Sequence, residues 1–399
     1  MNIVKKIYCR AFQTVLHLAL PFLPYRNPVI LRSTAEIPGV LREQGIDSVL
    51  IVTDASLSGL GMTEPLCGVL KEAGISYTVF DETVPNPTVK NVEDARALYL
   101  QNGCRGLIAF GGGSPIDCAK AVGARIARPK KPIAGMAGIL KVCKRIPYLV
   151  AIPTTAGTGS ETTVTAVITD GDTRHKFTVN DFPLIPRCAV LDPDNTKGLP
   201  PFMTATTGMD AMTHAVEAFI GGSTTKSTRA DALRAARLIV DNLPRAYADG
   251  ADMEARSAMS EAAHLAGRAF SKSYVGYCHA VAHTLGGKYN IPHGLANAVL
   301  LPYVLHAYGD TVYGKLKKMA VAVGIADQST PAPVAANAFI EKLEQMNREM
   351  GIPTTLKGIR REDVPALARK AEREANPLYP VPRLMTAVEL ERFYYDVME

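Results

Sequence analysis

Cysteine is sparse in this chain of 399 residues, and its spacing excludes two common uses of the residue. There are seven cysteines, an odd number, and no two of them form a Cys-x-x-Cys pair. This pattern suggests neither a disulfide framework nor a cysteine-based zinc site. We therefore expect a reducing compartment, the cytoplasm.

Long hydrophobic runs are also missing. The apolar N-terminal stretch, residues 12–23, is about a dozen residues long and too short to span a bilayer. Gln13, Thr14 and His17 interrupt it, and no small-x-small cleavage site follows it. We expect a helix that docks on the protein's own surface, without stable membrane insertion. A helix lying on a membrane surface is the alternative.

Neither sign of charge dominates the sequence. Lys and Arg number 44 and Asp and Glu 38, so the formal net charge is +6, and the basic residues are scattered. This distribution argues against a nucleic-acid partner. With 47% hydrophobic and 21% charged residues the composition is that of a globular protein, and the length suits two domains.

The two halves of the chain differ in their periodicity. Up to about residue 200, short β-branched runs alternate with helical patterns, which predicts an α/β dinucleotide-binding domain with a Rossmann-like parallel sheet. From residue 201, long segments rich in Ala, Leu and Met predict an all-α metal-binding domain. The predicted division is therefore 1–200, with an N-terminal helical extension over 1–30, and 201–399. The β-branched runs lie at residues 48–53, 75–80, 106–110 and 148–152.

A glycine-rich segment, residues 111–117, follows the third of these runs and opens a helix. Its three glycines allow a backbone to approach a phosphate closely, and Ser114 suits the N-cap of the helix. A helix N-terminus of this kind binds anions through its unpaired N–H groups. The segment is neither a G-x-G-x-x-G fingerprint nor a P-loop, and a purely structural turn is the alternative.

A second loop follows the next run. Residues 154–163 carry six hydroxyl side chains and two glycines that could donate to phosphate, ribose or base. Two such loops at strand ends predict a dinucleotide, although a polar surface loop is the alternative. Asp54, at the end of an earlier run, could accept from a ribose 2′-hydroxyl and repel a 2′-phosphate, which favours NAD over NADP. An Asp at this place is also common in turns.

Candidate metal ligands occur in the second half. Asp210 and His214 are four residues apart, and His279 and His283 repeat that spacing, so each pair shares one helix face. His293 follows in a predicted turn. One carboxylate and two or three imidazoles suit a divalent first-row ion, zinc or ferrous iron. The histidines without such pairing are expected to be structural: His17, His175, His264 and His306.

Together these segments resemble the iron-containing (group III) alcohol dehydrogenase family. The resemblance covers nearly the whole chain from about Asp54 onward, and residues 279–297 are its most specific part. It implies the metal ligands Asp210, His214, His279 and His293. It places His283 beside nicotinamide and substrate, as the candidate catalytic residue, rather than on the metal. The implied cofactor contacts are Gly112, Gly113, Ser114, Asp117, Thr154, Thr155, Thr158, Ser160 and Lys176, with Asp54 at the NAD-preference position.

The resemblance implies a metal-dependent alcohol dehydrogenase or aldehyde reductase that uses Fe²⁺, with Zn²⁺ as the second candidate, and NAD in preference to NADP. The expected substrate is a small primary alcohol, diol or aldehyde, with the ion acting as a Lewis acid and His283 relaying the proton. A homodimer is expected from the resemblance. The alternatives are a polyol (glycerol-type) dehydrogenase, a dehydroquinate-synthase-like enzyme of the same architecture, or a non-catalytic binding module.

Overall fold

The computed structural model describes residues 1–171 and 176–399, which divide into two compact units. One unit is Pro24–Leu199, and the other joins Met1–Leu23 to Pro200–Glu399. The structure departs from the predicted division at its N-terminal end, because the first 23 residues belong with the helical unit and not with the α/β unit.

Strands and helices of the described residues are numbered in chain order. The strands are β1 (Val29–Leu31), β2 (Ser48–Val52), β3 (Ser76–Phe80), β4 (Gly106–Gly111), β5 (Gly138–Ile139), β6 (Tyr148–Pro153), β7 (Thr165–Thr169), β8 (Lys176–Asn180) and β9 (Cys188–Val190). The α-helices are α1 (Ile3–Ala19), α2 (Ile37–Glu43), α3 (Ala55–Gly59), α4 (Glu64–Glu72), α5 (Val89–Gln101), α6 (Gly113–Ala127), α7 (Pro201–Ile220), α8 (Lys226–Ala248), α9 (Met253–Ser273), α10 (Tyr277–Tyr289), α11 (His293–Tyr308), α12 (Asp310–Ala322), α13 (Ala332–Glu349), α14 (Val364–Ala375) and α15 (Ala387–Asp396).

The α/β unit is built on a six-stranded sheet in the order β1-β9-β6-β4-β2-β3. Every neighbouring pair in this sheet is parallel. Parallel neighbours need crossover connections, which puts the carboxyl ends of the strands at one edge. The predicted Rossmann-like parallel sheet is confirmed. A smaller sheet, β5-β8-β7, was not predicted.

The central strands of the large sheet are buried on both faces. In β2, Val49 and Ile51 pack into one apolar cluster, whereas Leu50 and Val52 pack into another. Successive side chains of a strand point to opposite faces, so a strand covered on both faces needs apolar residues at every position. This requirement explains why the strands occur in the sequence as continuous apolar runs.

The second unit is helical from residue 201 onward, as predicted. Its central helix, α7, packs against α8, α9 and α11, and every residue from Thr204 to Ile220 except Thr207 is buried. Gly208 allows α8 to approach closely, because a Cβ at this position would lie 2.4 Å from Cδ1 of Leu243. A helix enclosed on all sides holds its side chains rigidly.

The N-terminal helix α1 docks on the helical unit through its polar side. Gln13 is buried, and its Nε2 donates to the carbonyl oxygens of Pro377 and Tyr379 at 3.1 and 2.7 Å. The guanidinium of Arg10 donates to the carbonyl oxygens of Val381 and Pro382 at 2.8 and 2.9 Å. These contacts confirm the expected docking and explain why the first 23 residues group with the helical unit.

None of the helices in the described ranges is both long enough and apolar enough to cross a membrane. Of the histidines expected to be structural, His264 is buried and His306 lies on the surface beside Glu344. His175 lies outside the described residues.

Candidate metal centre and cofactor loops

Four side chains from three helices converge inside the helical unit. Asp210 and His214 lie one turn apart on α7, His279 lies in the first turn of α10, and His293 begins α11. Their ligand atoms all lie within 4.8 Å of one another. The first three side chains are buried, whereas the His293 side chain is 39% exposed. The group, here called the metal quartet, is therefore accessible from one side.

The protonation state of His279 fits a metal ligand. Its buried Nε2 has no hydrogen-bond partner among the described residues and lies 3.8 Å from Oδ1 of Asp210. Burial, followed by the neighbouring imidazoles of His214 and His293, holds the pKa of His279 well below its ordinary value. A neutral imidazole beside a carboxylate is what a divalent cation requires. One carboxylate and three imidazoles suit Fe²⁺ or Zn²⁺.

Glu217, which is not among the predicted site residues, orients the quartet. Its carboxylate accepts hydrogen bonds from the backbone N–H groups of Gly276 and Cys278, each at 2.8 Å, and from Nδ1 of His279 at 2.6 Å. With its proton fixed on Nδ1, the imidazole presents the lone pair of Nε2 to the quartet. The signal in the sequence was available, since Glu217 lies on the same helix as Asp210, seven residues later.

Asn297 performs the same task for the carboxylate ligand. Its Nδ2 donates to Oδ1 of Asp210 at 2.6 Å, and the side chain is fully buried. It lies one turn after His293 on α11, and its Nδ2 is 3.1 Å from Nε2 of that residue. The carboxylate and the third imidazole are thus held by a common neighbour.

His283 lies next to the metal quartet but is not part of it. Its ring stacks on that of His293 with centroids 5.2 Å apart, and its Nδ1 lies 2.5 Å from Oε1 of Glu374. The hydroxyl of Tyr379 donates to the same carboxylate oxygen at 2.8 Å. This half-exposed imidazole is therefore held in place by a carboxylate that a tyrosine holds in turn.

The two predicted cofactor loops lie against each other in the α/β unit. They follow the neighbouring parallel strands β4 and β6, and the N–H of Thr154 donates to the carbonyl of Gly111 at 3.1 Å. A Cβ on Gly112 would lie 3.4 Å from Cγ2 of Thr155, and one on Gly113 would lie 3.2 Å from Cγ2 of Thr158. The glycines thus let the threonine side chains reach the N-terminus of α6.

A buried lysine supports the second loop. Lys120 is fully buried, and its Nζ donates to the hydroxyls of Ser160 and Thr163 at 3.0 and 2.7 Å and to the carbonyl of Thr165 at 2.8 Å. Burial lowers its pKa to about 8. Ser160 donates in turn to Asp117 at 2.6 Å. Two residues predicted to contact the cofactor therefore also brace the loop.

Lys176 and Ser114 are connected through Asn86. The Nζ of Lys176 donates to Oδ1 of Asn86 at 2.7 Å, and the backbone N–H of Asn86 donates to the hydroxyl of Ser114 at 3.2 Å. Asn86 has φ = 61°, in the left-handed region that Asn tolerates better than most residues. Burial lowers the pKa of Lys176.

Asp54 has a structural task at the end of β2. It is the N-cap of α3, and its Oδ1 accepts hydrogen bonds from the backbone N–H groups of Ser56 and Leu57, both at 3.0 Å. The turn function that the sequence left open is therefore present, and it occupies one of the two carboxylate oxygens.

Comparison with known families identifies both units. Residues 31–193 match the family model for iron-containing alcohol dehydrogenase, and residues 204–398 match the C-terminal model of the same family. The chain belongs to the iron-containing alcohol dehydrogenase family. It is therefore an oxidoreductase, and the metal quartet fits the iron after which the family is named.

Individual relatives agree with this assignment. The chain is 37% identical to a lactaldehyde reductase of Escherichia coli over 86% of its own length and 93% of the relative's. It is 36% identical to the NAD-dependent methanol dehydrogenase of Bacillus methanolicus, covering 88% and 92%. The crystal structure of a 1,3-propanediol oxidoreductase superposes with a TM-score of 0.90 at 35% identity, covering 94% of this chain and all of the other.

The hydrogen bond from His279 to Glu217 predicts a defect in metal retention. Glu217→Gln keeps the side-chain shape but removes the negative charge, and its NH2 group replaces one of the two oxygens that accept from Gly276, Cys278 and His279. We expect the affinity for Fe²⁺ or Zn²⁺ to fall about 10- to 100-fold, as is typical when the carboxylate partner of a ligand histidine is lost. Chelator competition measures it.

The matched control is Glu261→Gln, which changes a carboxylate that pairs with Arg234 on the surface of the same unit. Its metal affinity should equal that of the unaltered protein. Equal affinities in all three proteins would show that Glu217 does not orient the ligand.

Proposed function

We propose that this protein is an NAD-linked alcohol dehydrogenase or aldehyde reductase that interconverts a small primary alcohol or diol and its aldehyde. The observation that carries the proposal is the metal quartet, in which the buried Nε2 of His279 has no hydrogen-bond partner among the described residues and lies 3.8 Å from Oδ1 of Asp210. Ferrous iron is the proposed ion. Relatives named for lactaldehyde, methanol and 1,3-propanediol support a small oxygenated substrate.

A bound ion would supply Lewis acidity toward the substrate oxygen, and bound NAD would supply the hydride acceptor. The remaining tasks belong to the side chains. Gly112 and Gly113 leave the N-terminus of α6 open for the pyrophosphate, beside the hydroxyls of Thr155 and Thr158. Glu217 keeps the Nδ1 of His279 protonated, so that its other nitrogen remains a ligand.

Alcohol oxidation also releases the hydroxyl proton, and His283 is the proposed acceptor. Glu374 engages Nδ1 of this imidazole, which makes Nε2 the nitrogen that exchanges a proton with the substrate. Tyr379 holds Glu374 in position. In the reverse direction the same pair would return a proton to the substrate oxygen, and bound NADH would be the hydride source.

The proposal includes a cytoplasmic homodimer. The family resemblance supports the dimer. The seven cysteines support the compartment, because all of them are free thiols. Two copies in solution are measurable by light scattering at the protein concentration of the activity assay.

Metal dependence tests the central part of the proposal. His279→Ala removes the ligand that Glu217 orients, so we expect metal content and NADH formation from small alcohols to be lost together. NADH binding should persist, because the cofactor loops belong to the other unit. Elemental analysis, an absorbance assay and NADH fluorescence measure the three properties. A variant that stays fully active in chelator would contradict metal catalysis.

Asp54 tests the choice between NAD and NADP. Asp54→Asn removes the negative charge but keeps an oxygen that can cap α3, since Asn and Asp are comparable N-caps. We expect the ratio of kcat/KM for NADP to that for NAD to rise about ten-fold or more, because a nearby carboxylate repels the 2′-phosphate. Asp54→Ala also loses the N-cap, so its kcat/KM values show how much of the change comes from disruption of the turn. If the ratio for NADP to NAD is unchanged in Asp54→Asn, Asp54 caps α3 and does not select the cofactor.

The proton-relay role of His283 predicts a loss of turnover without loss of metal. His283→Ala should lower kcat by about 100-fold or more, within the usual range for general acid–base catalysis. The matched control is His306→Ala, which removes another imidazole beside a glutamate, here Glu344. Steady-state rates and metal content are measured on both variants. Turnover of His283→Ala within about two-fold of the unaltered enzyme would exclude the relay.

A further inference from the structure

Helix α1 and the turn after it present an apolar face to solvent. Seven large apolar side chains there are each more than half exposed, and the Phe22 side chain is 87% exposed. The row Ile7, Val15, Leu18 and Phe22 follows helical spacing, so these side chains share one side. The seven residues, here called the outer face, are Ile3, Val4, Ile7, Tyr8, Val15, Leu18 and Phe22. Contiguous exposed apolar surface of this kind marks interaction sites.

The opposite side of α1 is already occupied. Cys9 and Gln13 are buried, and Gln13 and Arg10 donate to carbonyl oxygens of residues 377–382. The helix is thus ordered before any partner arrives, so a partner need not supply the free energy of folding it. The polar contacts also prevent α1 from turning its apolar side inward without breaking them.

The charges around α1 are those of a surface that attracts anions. Residues 1–23 contain Lys5, Lys6 and Arg10 and no Asp or Glu. Among the described residues, the carboxylate of Glu372 on α14 is paired with Lys5 at 2.6 Å. Helix α14 adds further exposed basic side chains, and Arg369 lies one turn from Glu372 on the same side of the helix. The exposed basic residues of α14 are Arg369, Lys370 and Arg373.

We propose that the outer face docks on the surface of an anionic phospholipid bilayer. The helix lies flat, its apolar side chains enter the boundary between headgroups and acyl chains, and the flanking lysines attract lipid phosphates. Tyr8 suits this depth, because its ring is apolar and its hydroxyl reaches water. Binding is reversible and does not span the bilayer. It is independent of the proposed catalytic function.

A second copy of the chain fits this face less well. Packing two α1 helices through their outer faces brings two basic segments without acidic residues next to each other, and like charges at an interface oppose association. An anionic lipid surface has the complementary sign along the N-terminal half of the helix, where Lys5, Lys6 and Arg10 lie. Charge complementarity therefore selects the bilayer.

Co-sedimentation of the full-length protein with lipid vesicles tests the proposal. The vesicles contain phosphatidylcholine, alone or mixed with phosphatidylglycerol, and we expect binding to the mixed vesicles that weakens as salt rises. The triple variant Ile7→Glu, Val15→Glu, Leu18→Glu should lower the partition constant about 100-fold or more, because it replaces three apolar groups with charges. Lys6→Gln should lower it about five-fold.

The control variant is Val388→Glu, which changes an exposed apolar residue of the same unit, 75% exposed, outside α1. It should bind the vesicles like the unaltered protein. Light scattering and NADH formation should be the same for all variants, which shows that the substitutions leave the fold and the oligomeric state unchanged. The proposal is overturned by absent vesicle binding, by equal binding to both lipid mixtures, or by equal binding of the triple variant. A triple variant that instead splits an oligomer identifies a second copy as the occupant.

Discussion

The buried carboxylate of Glu217 is the contact on which the helical unit's site depends. Burial raises its pKa to about 7, while the hydrogen bonds that it accepts from the backbone of Gly276 and Cys278 and from His279 favour the ionised form. It joins α7, which carries Asp210 and His214, to the start of α10, which carries His279. A buried carboxylate is costly unless it is fully hydrogen-bonded, so this arrangement allows little freedom in how the two helices meet.

Backbone detail follows from that contact. A Cβ on Gly276 would lie 2.7 Å from Oε1 of Glu217, so the chain needs glycine where it passes the carboxylate. The start of α11 has the same requirement, since a Cβ on Gly294 would lie 2.5 Å from the carbonyl oxygen of Thr206 on α7. The glycine after His293 is therefore explained by the approach of α11 to α7. Both glycines allow the close approach of the elements that carry the ligands, although glycine has no side chain that could contact a ligand.

In the α/β unit a buried positive charge, that of Lys120, fixes a loop, as the buried carboxylate of Glu217 fixes the site of the helical unit. Apart from the small Ala156, this loop rich in hydroxyls has no apolar side chain to bury, so packing alone cannot fix its shape. Lys120 supplies three donors from beneath the loop, and Asp117 accepts from Ser160. The loop is thus held from inside the unit, which leaves Thr155 and Thr158 against the glycines at the start of α6.

Much of this architecture could be predicted because it depends on local sequence patterns. Continuous apolar runs predicted β2, β4 and β6, since strands buried on both faces need apolar residues throughout, and the β-branched run at residues 75–80 predicted the partly exposed edge strand β3. The i, i+4 spacing put Asp210 and His214 on one side of a helix. Local patterns could not predict the groups that hold these residues. Glu374, 91 residues from His283, and Asn86, 90 residues from Lys176, meet their partners only through the tertiary fold.

The orientation of helix α1 could not be predicted from its sequence pattern. An apolar stripe normally predicts the side of a helix that faces the core, yet here Arg10 and Gln13 face inward while Ile7, Val15 and Leu18 face solvent. The groups that decide the orientation are carbonyl oxygens within residues 377–382. These residues belong to no regular strand or helix, so their carbonyl oxygens need hydrogen-bond donors from elsewhere in the chain. A long polar side chain can satisfy them, and an apolar one cannot. The same sequence pattern that allows docking therefore leaves an apolar surface exposed among the described residues, and this is the surface proposed to dock on a bilayer.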